Sequence, residues 1–244
     1  MPSIQPPDAA SPTIRYRIPS VHPDGRKFVV LGVVLTIVLA ITAWEPLAWL
    51  SAGLTLWVAA FFRDPIRVTP QEPGAIVSPA DGLVQMIQRV PVPVELAGEG
   101  GLGPNPLIRV SIFMSVFDVH INRAPIAGTV TRIAYIAGKF VNAELDKASE
   151  DNERQHILVD NGDGLAVGFT QIAGLVARRI VPFIKTGDAV TAGQRIGLIR
   201  FGSRVDVYLP DSAAPQVALG QRAIAGETIL GVVGKATPAT GAAQ

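Results

Sequence analysis

The pair Gly202–Ser203 has residue types that allow an unusual reaction of the backbone. It lies in FGSRVDVYLP, residues 201–210, between two strand-like stretches. A serine hydroxyl can attack the carbonyl of the preceding residue, and glycine tolerates the strained backbone this needs because it lacks Cβ. The resulting ester can eliminate to a dehydroalanine, which hydrolyses to a pyruvoyl group suited to Schiff-base chemistry. An ordinary hairpin turn with a solvated hydroxyl is the alternative interpretation.

His120 is the second candidate, because a histidine can exchange a proton near neutral pH. It stands in SIFMSVFDVHINRAPIAG, and Asp118 shares a face with it if this stretch is a strand. A purely structural role is the alternative. The other histidines are His22, in the N-terminal segment, and His156, whose charged and polar neighbours predict a solvent-exposed side chain.

Asp81, in SPADG at 78–82, can orient a histidine or accept a proton in a relay with Ser203. The simpler interpretation is a turn cap, since Asp-Gly is an ordinary turn dipeptide. No two histidines have metal-ligand spacing and the chain has no cysteine, so we predict no metal site. The net charge of +1, without a clustered basic excess, predicts no nucleic-acid partner.

Short runs rich in Val and Ile must position these side chains. They are separated by Gly, Pro, Asn or Asp, as in DNGDG at 160–164, which predicts a mostly antiparallel β domain over residues 63–234. KTGDAVTAGQRIGLI, near residue 190, resembles the turn-and-strand pattern of lipoyl-like barrel-sandwich folds. The predicted class is therefore mostly β (α+β), a lipoyl-like barrel-sandwich domain preceded by a hydrophobic helical hairpin. Residues 235–244 are predicted to form a flexible C-terminal tail.

The hairpin is predicted over residues 28–62, after a flexible tail at 1–27. Glu45, followed by Pro46, is the only charged residue in the hairpin. Each half is shorter than the ~20 residues of a spanning helix, so two tilted short spans or a hairpin dipping into one leaflet both fit. A buried core hairpin and a cleaved signal peptide are alternatives, although a signal peptide needs only one apolar run.

Basic residues flank this stretch on both sides. Arg26 and Lys27 precede it, and Arg63 and Arg67 follow it. The positive-inside tendency then places both ends in the cytoplasm. We predict attachment to the cell membrane, with the β domain on its cytoplasmic side.

Three ordered motifs change the interpretation of the chemical residues. SPADG at 78–82, FDVHINRAP at 117–125 and FGSR at 201–204 together resemble the phosphatidylserine decarboxylase family, with an apolar anchor ahead of them. QIAGLVARRIVPF at 171–183 resembles the compact, membrane-anchored, pyruvoyl-dependent members in particular. The resemblance covers the chain from Arg63 to about Val232.

This resemblance implies a pyruvoyl-dependent carboxy-lyase that converts phosphatidylserine to phosphatidylethanolamine and CO2 through a Schiff base. Autocatalytic serinolysis between Gly202 and Ser203 makes the covalent pyruvoyl cofactor from Ser203. The zymogen thereby becomes a heterodimer of a larger chain, 1–202, and a smaller chain, 203–244. The implied partners are the phospholipid substrate and the membrane, and a higher homo-oligomer stays open.

The resemblance also implies roles for particular side chains. Asp81 and His120 match the family residues that activate the serine, and His120 is in addition a plausible acid for the carbanion left when CO2 departs. Larger family members have a second histidine where Arg123 stands and a threonine where Arg204 stands. Arg123 and Arg204 are therefore candidate substrate-binding residues, because a guanidinium suits a carboxylate or phosphate.

Two other functions fit part of the pattern. A non-enzymatic, membrane-anchored barrel-sandwich adaptor joins similar elements, but it needs a long coiled-coil hairpin with sustained heptads, which this sequence lacks. A pyruvoyl decarboxylase that acts on another serine lipid also fits, whereas a soluble amino-acid substrate gives no reason for the apolar segment.

Overall fold

The computed structural model describes residues 18–42, 44–138, 151–174, 179–200 and 202–242. Within these ranges the chain forms two α-helices, α1 (Pro23–Ile41) and α2 (Glu45–Phe61), and otherwise β-strands. The strands are β1 (Ser20–Val21), β2 (Arg63–Asp64), β3 (Ala75–Val77), β4 (Gly82–Val90), β5 (Leu107–Met114), β6 (Ile121–Arg123), β7 (Gly128–Ile136), β8 (Arg154–Asp160), β9 (Ala166–Ala173), β10 (Ile180–Pro182), β11 (Ala189–Val190), β12 (Arg195–Ile199), β13 (Ser203–Leu209), β14 (Ala213–Pro215), β15 (Arg222–Ala223) and β16 (Ile229–Val233).

The two helices pack side by side in opposite directions. Small and hydroxylated residues line their contact: Thr36 Oγ1 and Ser51 Oγ lie 2.8 Å apart, and a Cβ on Gly32 would come within 2.3 Å of Thr55 Oγ1. Gly32 thus permits a close approach of the helices that a larger residue would prevent. Neither helix reaches the length and apolarity needed to cross a bilayer, nor does any other helix in the part of the chain that the structure describes.

The N-terminal boundary of the helix pair differs from the prediction. Part of the predicted tail is ordered: Ser20 and Val21 pair with Asp64 and Arg63, and α1 begins at Pro23 rather than Phe28. Proline is pre-set for the first turn of a helix, and Asp24 there interacts favourably with the helix dipole. Residues 1–17 and 243–244 of the predicted tails lie outside the described ranges.

The predicted antiparallel β domain is confirmed. Its largest sheet has eight strands in the order β11-β7-β8-β9-β13-β5-β4-β15, and two three-stranded sheets, β10-β12-β6 and β14-β16-β3, complete it. Every pair between named strands in the described ranges is antiparallel. DNGDG at 160–164 connects β8 to β9, as its turn residues predict.

Strand β13 occupies the middle of the large sheet. It pairs with β5 on one side and β9 on the other, and all seven of its residues are buried. On one face Val205, Val207 and Leu209 enter the main apolar core. Residues on both faces of β13 are therefore shielded from water, and Ser203 is its first residue.

Candidate active site

Ser203 begins β13 and is completely buried. Its backbone is fixed on both sides by the pairing of Ser203 with Met114 of β5 and Ala173 of β9. The side chain points to the main-core face, where Oγ donates a hydrogen bond to Met114 Sδ over 3.3 Å. A thioether sulphur is only a weak acceptor, and the hydroxyl makes this bond away from bulk water.

Gly202 precedes this strand in a left-handed backbone conformation, with φ of 66°. A Cβ there would meet only Val116 Cγ1, at 3.8 Å, so there is space for a side chain. What favours glycine is the backbone conformation, which costs other residues roughly 1–2 kcal/mol. A conformation that glycine adopts readily thus lies directly before Ser203, at the peptide linkage that was predicted to rearrange.

His120 contacts the N–H group of Gly202, one peptide group before the bond to Ser203. It follows a turn that begins after β5, in which Asp118 Oδ2 accepts a hydrogen bond from the Ser115 N–H over 2.8 Å. The Gly202 N–H donates to His120 Nε2 over 3.3 Å, and His120 Nδ1 lies 3.0 Å from the Asp118 carbonyl oxygen. Since a carbonyl only accepts, Nδ1 carries the proton and Nε2 has the lone pair.

The electrostatic surroundings of His120 keep this ring neutral. Burial lowers its pKa to about 4, against the opposing effects of the Asp118 carbonyl and the Asp118 charge. A ring with a pKa of about 4 is unprotonated at neutral pH, so Nε2 keeps its lone pair there. His120 is therefore a neutral ring in contact with Gly202, the residue that precedes Ser203.

The end of α2 covers His120. Phe61 is buried, and its ring centroid lies 4.1 Å from that of His120 at an interplanar angle of 32°. Phe62 and Trp57 pack against Phe61 in turn, at 5.0 and 5.9 Å. The helix pair thus supplies the apolar cover that removes His120 from water.

Replacing Phe61 with Ala is expected to shift the acid limb of the pH dependence of self-cleavage to higher pH. Water reaching the ring would raise the His120 pKa from about 4 toward 6.5, so self-cleavage would begin to slow at a higher pH as acid is added. Phe61→Leu, which keeps an apolar cover, should retain the original profile. Cleavage rates of both variants between pH 4 and 8 measure the shift, and identical profiles would contradict the role of Phe61.

Asp81 lies close enough to Asp118 to feel its charge, and both oxygens of the Asp81 carboxylate accept hydrogen bonds. Oδ2 accepts from Arg67 Nη2 at 2.6 Å, and Oδ1 accepts from the Ala225 N–H at 2.7 Å. Burial raises the pKa of Asp81, the Arg67 charge lowers it, and the Asp118 charge raises it further. The group beside His120 Nδ1 is the Asp118 carbonyl, so the predicted catalytic role of Asp81 stays a prediction.

Arg123 is bound to the backbone rather than open to a ligand. Nη1 donates to the Gly193 carbonyl at 2.7 Å, and Nη2 donates to the Pro65 carbonyl at 2.9 Å. Asp64 lies 3.8 Å from Nη2, and burial lowers the pKa of the guanidinium. These contacts favour a role in joining β2 to the turn before β12, and substrate binding by Arg123 stays a prediction.

Arg204 points to the face of β13 opposite to the Ser203 side chain. It is completely buried, and its Nε lies 2.9 Å from Asp206 Oδ1 in a pair within the strand. Arg109 of β5 lies 3.9 Å from the other oxygen of the same carboxylate. This geometry favours an internal ion pair. It does not support a contact between Arg204 and the substrate, which stays a prediction.

The prediction for His156 was wrong. This residue is buried rather than exposed, with Nδ1 2.8 Å from Thr170 Oγ1 and Nε2 3.6 Å from Glu95 Oε2. Burial lowers its pKa to about 4. Its charged sequence neighbours predicted exposure, but β8 is an inner strand of the large sheet and its other face is covered too.

Four residues near Ser203 were missed by the sequence predictions: Met114, Phe61, Asn122 and Gln171. The first two lie within apolar runs, where their types give no chemical signal. Asn122 stands inside the FDVHINRAP motif, between Ile121 and Arg123, and its place in that motif was the available signal. Gln171 begins the QIAG segment, and only its contact with Asn122 identifies it.

These contacts bring a buried hydroxyl, a glycine in the left-handed conformation and a neutral histidine together at residues 120, 202 and 203. In the described residues no group of three or more His, Asp or Glu is placed to hold a metal ion.

The sequence profile of the phosphatidylserine decarboxylase family matches residues 54–231. A phosphatidylserine decarboxylase proenzyme of Novosphingobium aromaticivorans is 61% identical over 237 residues, covering 95% of this chain and 94% of that protein. One of Zymomonas mobilis is 61% identical over 235 residues, covering 96% of each chain. One of Erythrobacter litoralis is 61% identical over 231 residues, covering 93% of each. The chain belongs to the phosphatidylserine decarboxylase family.

Proposed function

We propose that the chain is a proenzyme that cleaves itself between Gly202 and Ser203 and then decarboxylates phosphatidylserine to phosphatidylethanolamine. The observation that carries the proposal is the contact of Gly202, in its left-handed conformation, with neutral His120 next to the buried Ser203 hydroxyl. The relatives are named proenzymes, which supports a processing step.

The processing step uses only groups of this chain and one water molecule. Ser203 Oγ bonds to the Gly202 carbonyl carbon while the C–N bond breaks, and the hydroxyl proton ends on the freed Ser203 amine. Removal of the Ser203 Cα proton then breaks the Cβ–O bond, leaving the Gly202 carboxylate and a dehydroalanine. Its enamine becomes an imine, and water hydrolyses it to the pyruvoyl carbonyl with release of ammonia. We assign these proton transfers to His120, and its contact with the Gly202 N–H supports the assignment.

The site fits a pyruvoyl group at position 203. Ser203 is small and buried, and the strand around it is held from both sides, so the new chain end stays where it forms. The group supplies a carbonyl that bonds the substrate amine and accepts the electron pair left by CO2. We assign His120, which is covered on one side by Phe61, to hold the proton and return it to the substrate carbon after CO2 leaves. We assign Asp81 a supporting role, through its bond to Arg67.

Both products of cleavage are expected to stay together as a heterodimer. The smaller chain contains β13, which lies between β5 and β9, as well as β15 and β16, which pair with β4 and β3. All these partner strands belong to the larger chain. A lipoyl-like barrel-sandwich arrangement of the sheets is part of the proposal, supported by the turn at Gly193 that leads into β12.

The helix pair is proposed to dock the enzyme on the membrane that holds its substrate. Its large apolar side chains face outward and are half or more exposed: Leu31, Val34, Leu35, Ile37, Trp49, Leu50, Leu54 and Leu56. So much exposed apolar surface is unusual for a protein surrounded by water. Since Phe61 at the end of this pair contacts His120, a docked pair would bring the site to the headgroup region, on the cytoplasmic side of the cell membrane.

Turnover of phosphatidylserine in vesicles tests the proposal. The wild-type chain should release phosphatidylethanolamine and CO2, whereas Leu54→Asp should weaken vesicle binding roughly 10- to 100-fold and slow turnover, because Asp is costly inside a bilayer. Leu219→Asp, on an exposed turn of the β domain, is the matched control. Cleavage into two chains should be normal in both variants. No product from the cleaved wild type contradicts the function, and unaffected vesicle binding by Leu54→Asp contradicts the docking.

A further inference from the structure

Three buried amide side chains form a continuous row on the Ser203 side of the large sheet. Gln155 Nε2 donates to Gln171 Oε1 over 3.0 Å, and Gln171 Nε2 donates to Asn122 Oδ1 over 2.7 Å. Asn122 and Gln171 have no exposed surface, and Gln155 has almost none. Unpaired amides are costly in such a place, so the bonds fix the orientation of each member.

The row connects two sheets. Gln155 and Gln171 lie opposite each other on β8 and β9 of the large sheet, whereas Asn122 is on β6 of a three-stranded sheet. Gly197, which pairs with Asn122, lies beside this junction: a Cβ there would come 2.8 Å from the Val181 carbonyl oxygen and 3.3 Å from Gln171 Nε2. The end of the row is therefore fixed by strands on both sides.

The row ends on the sulphur atom that also holds the reacting serine. Asn122 Nδ2 donates to Met114 Sδ at 3.7 Å, and Ser203 Oγ donates to the same sulphur at 3.3 Å. Methionine has a flexible side chain that takes up many rotamers. A fixed donor on one side of the thioether limits this freedom, and the sulphur in turn sets the direction of the serine hydroxyl.

We propose that Asn122 is a positioning residue for self-cleavage, which holds the Met114 sulphur and through it the Ser203 hydroxyl in the starting orientation for attack on Gly202. The inference rests on the proposed function, because it concerns the cleavage step. The bond changes are those of the acyl shift described above, and Asn122 neither gains nor loses a proton. Its effect comes from the geometry of the starting state alone.

The rate of precursor cleavage tests the assignment. Asn122→Leu keeps the volume and removes the amide, and we expect it to slow cleavage about 10- to 100-fold, the cost of a small misplacement of reacting groups. Thr170→Val is the matched control: Thr170 is next to Gln171, equally buried, and bonded to His156 on the opposite face. Asn122→Leu loses its hydrogen bonds to Gln171 and Met114, and Thr170→Val loses its bond to His156, so both variants should melt at lower temperature, but Thr170→Val should cleave at the wild-type rate.

A double-mutant cycle separates positioning from general destabilisation. Met114→Leu removes the sulphur acceptor at similar volume and should also slow cleavage. If Asn122 acts through Met114, the double variant should be no slower than the slower single variant. Rates are measured on freshly translated chains, well below the melting temperature of every variant.

The outcomes are distinct for the two proposals. Three results would overturn the inference while leaving the proposed function in place. Asn122→Leu could cleave at the wild-type rate, or it could be slowed no more than Thr170→Val. The effects of Asn122→Leu and Met114→Leu could also multiply independently in the double variant. A wild-type chain that never divides would overturn the proposed function and the inference with it.

Discussion

Ser203→Ala is expected to give one uncleaved chain of 25.7 kDa without detectable decarboxylase activity. The substitution removes the nucleophile and the atom skeleton from which the pyruvoyl group is made, so no later step can compensate. The wild type should instead show two chains, 1–202 and 203–244, the smaller without a free amino terminus. Intact-mass spectrometry of purified protein measures both outcomes directly.

The fold should survive this change. The lost interaction is one hydrogen bond to a thioether, so the free energy of unfolding should fall by about 1 kcal/mol or less. Ser111→Ala is the matched control, since Ser111 is equally buried in the neighbouring strand but lies opposite Asp206, on the other face. It should cleave and turn over normally. Full activity in an intact Ser203→Ala chain would end the proposal.

His120→Gln should slow self-cleavage by about 10²- to 10⁴-fold, the usual contribution of a general acid or base. Glutamine can still accept the Gly202 N–H through its side-chain oxygen but cannot carry a proton. In the wild type the rate should stay constant from pH 8 down to about 5 and fall near pH 4, because protonation of His120 then removes the lone pair. Time courses of chain separation at several pH values measure both effects.

His156→Gln provides a histidine control of similar environment. His156 is buried and its pKa is also lowered to about 4, but it faces Thr170 on the side of the sheet away from Ser203. This variant should therefore cleave at the wild-type rate, even if it is less stable. Equal slowing in the two glutamine variants would show that burial of a neutral histidine, rather than its contact with Gly202, matters.

Local patterns predicted the elements of the fold well. Alternating Val and Ile runs gave strands such as β7 and β9, and the turn residues at 160–164 joined β8 to β9. The apolar run, whose only charged residue is Glu45, forms two helices, and the second of them begins at Glu45. These features depend on neighbouring residues, so they can be seen in the sequence. The start of α1 at Pro23 was missed because charged residues near a helix end look like a tail.

Contacts between strands that are distant in the sequence were harder to predict. His120 and Gly202 are 82 positions apart, and only the family resemblance brought their segments together. The orientation of Arg204 depends on the alternation of β13, and its burial depends on cover over a second face that no local pattern reveals. His156 was placed wrongly for the same reason. Asn122 and Gln171, 49 positions apart, meet only because β6 and β9 belong to adjoining sheets.

The central place of β13 has a consequence for when the enzyme matures. Ser203 is held by β5, which is made early, and β9, which is made later, so its surroundings exist only after nearly the whole polypeptide has been synthesised and assembled. Under the proposed function, a nascent or misfolded chain would lack these surroundings and would keep an unreacted serine. Formation of the pyruvoyl carbonyl would then depend on correct assembly, and the amount of divided chain would measure how much protein has folded.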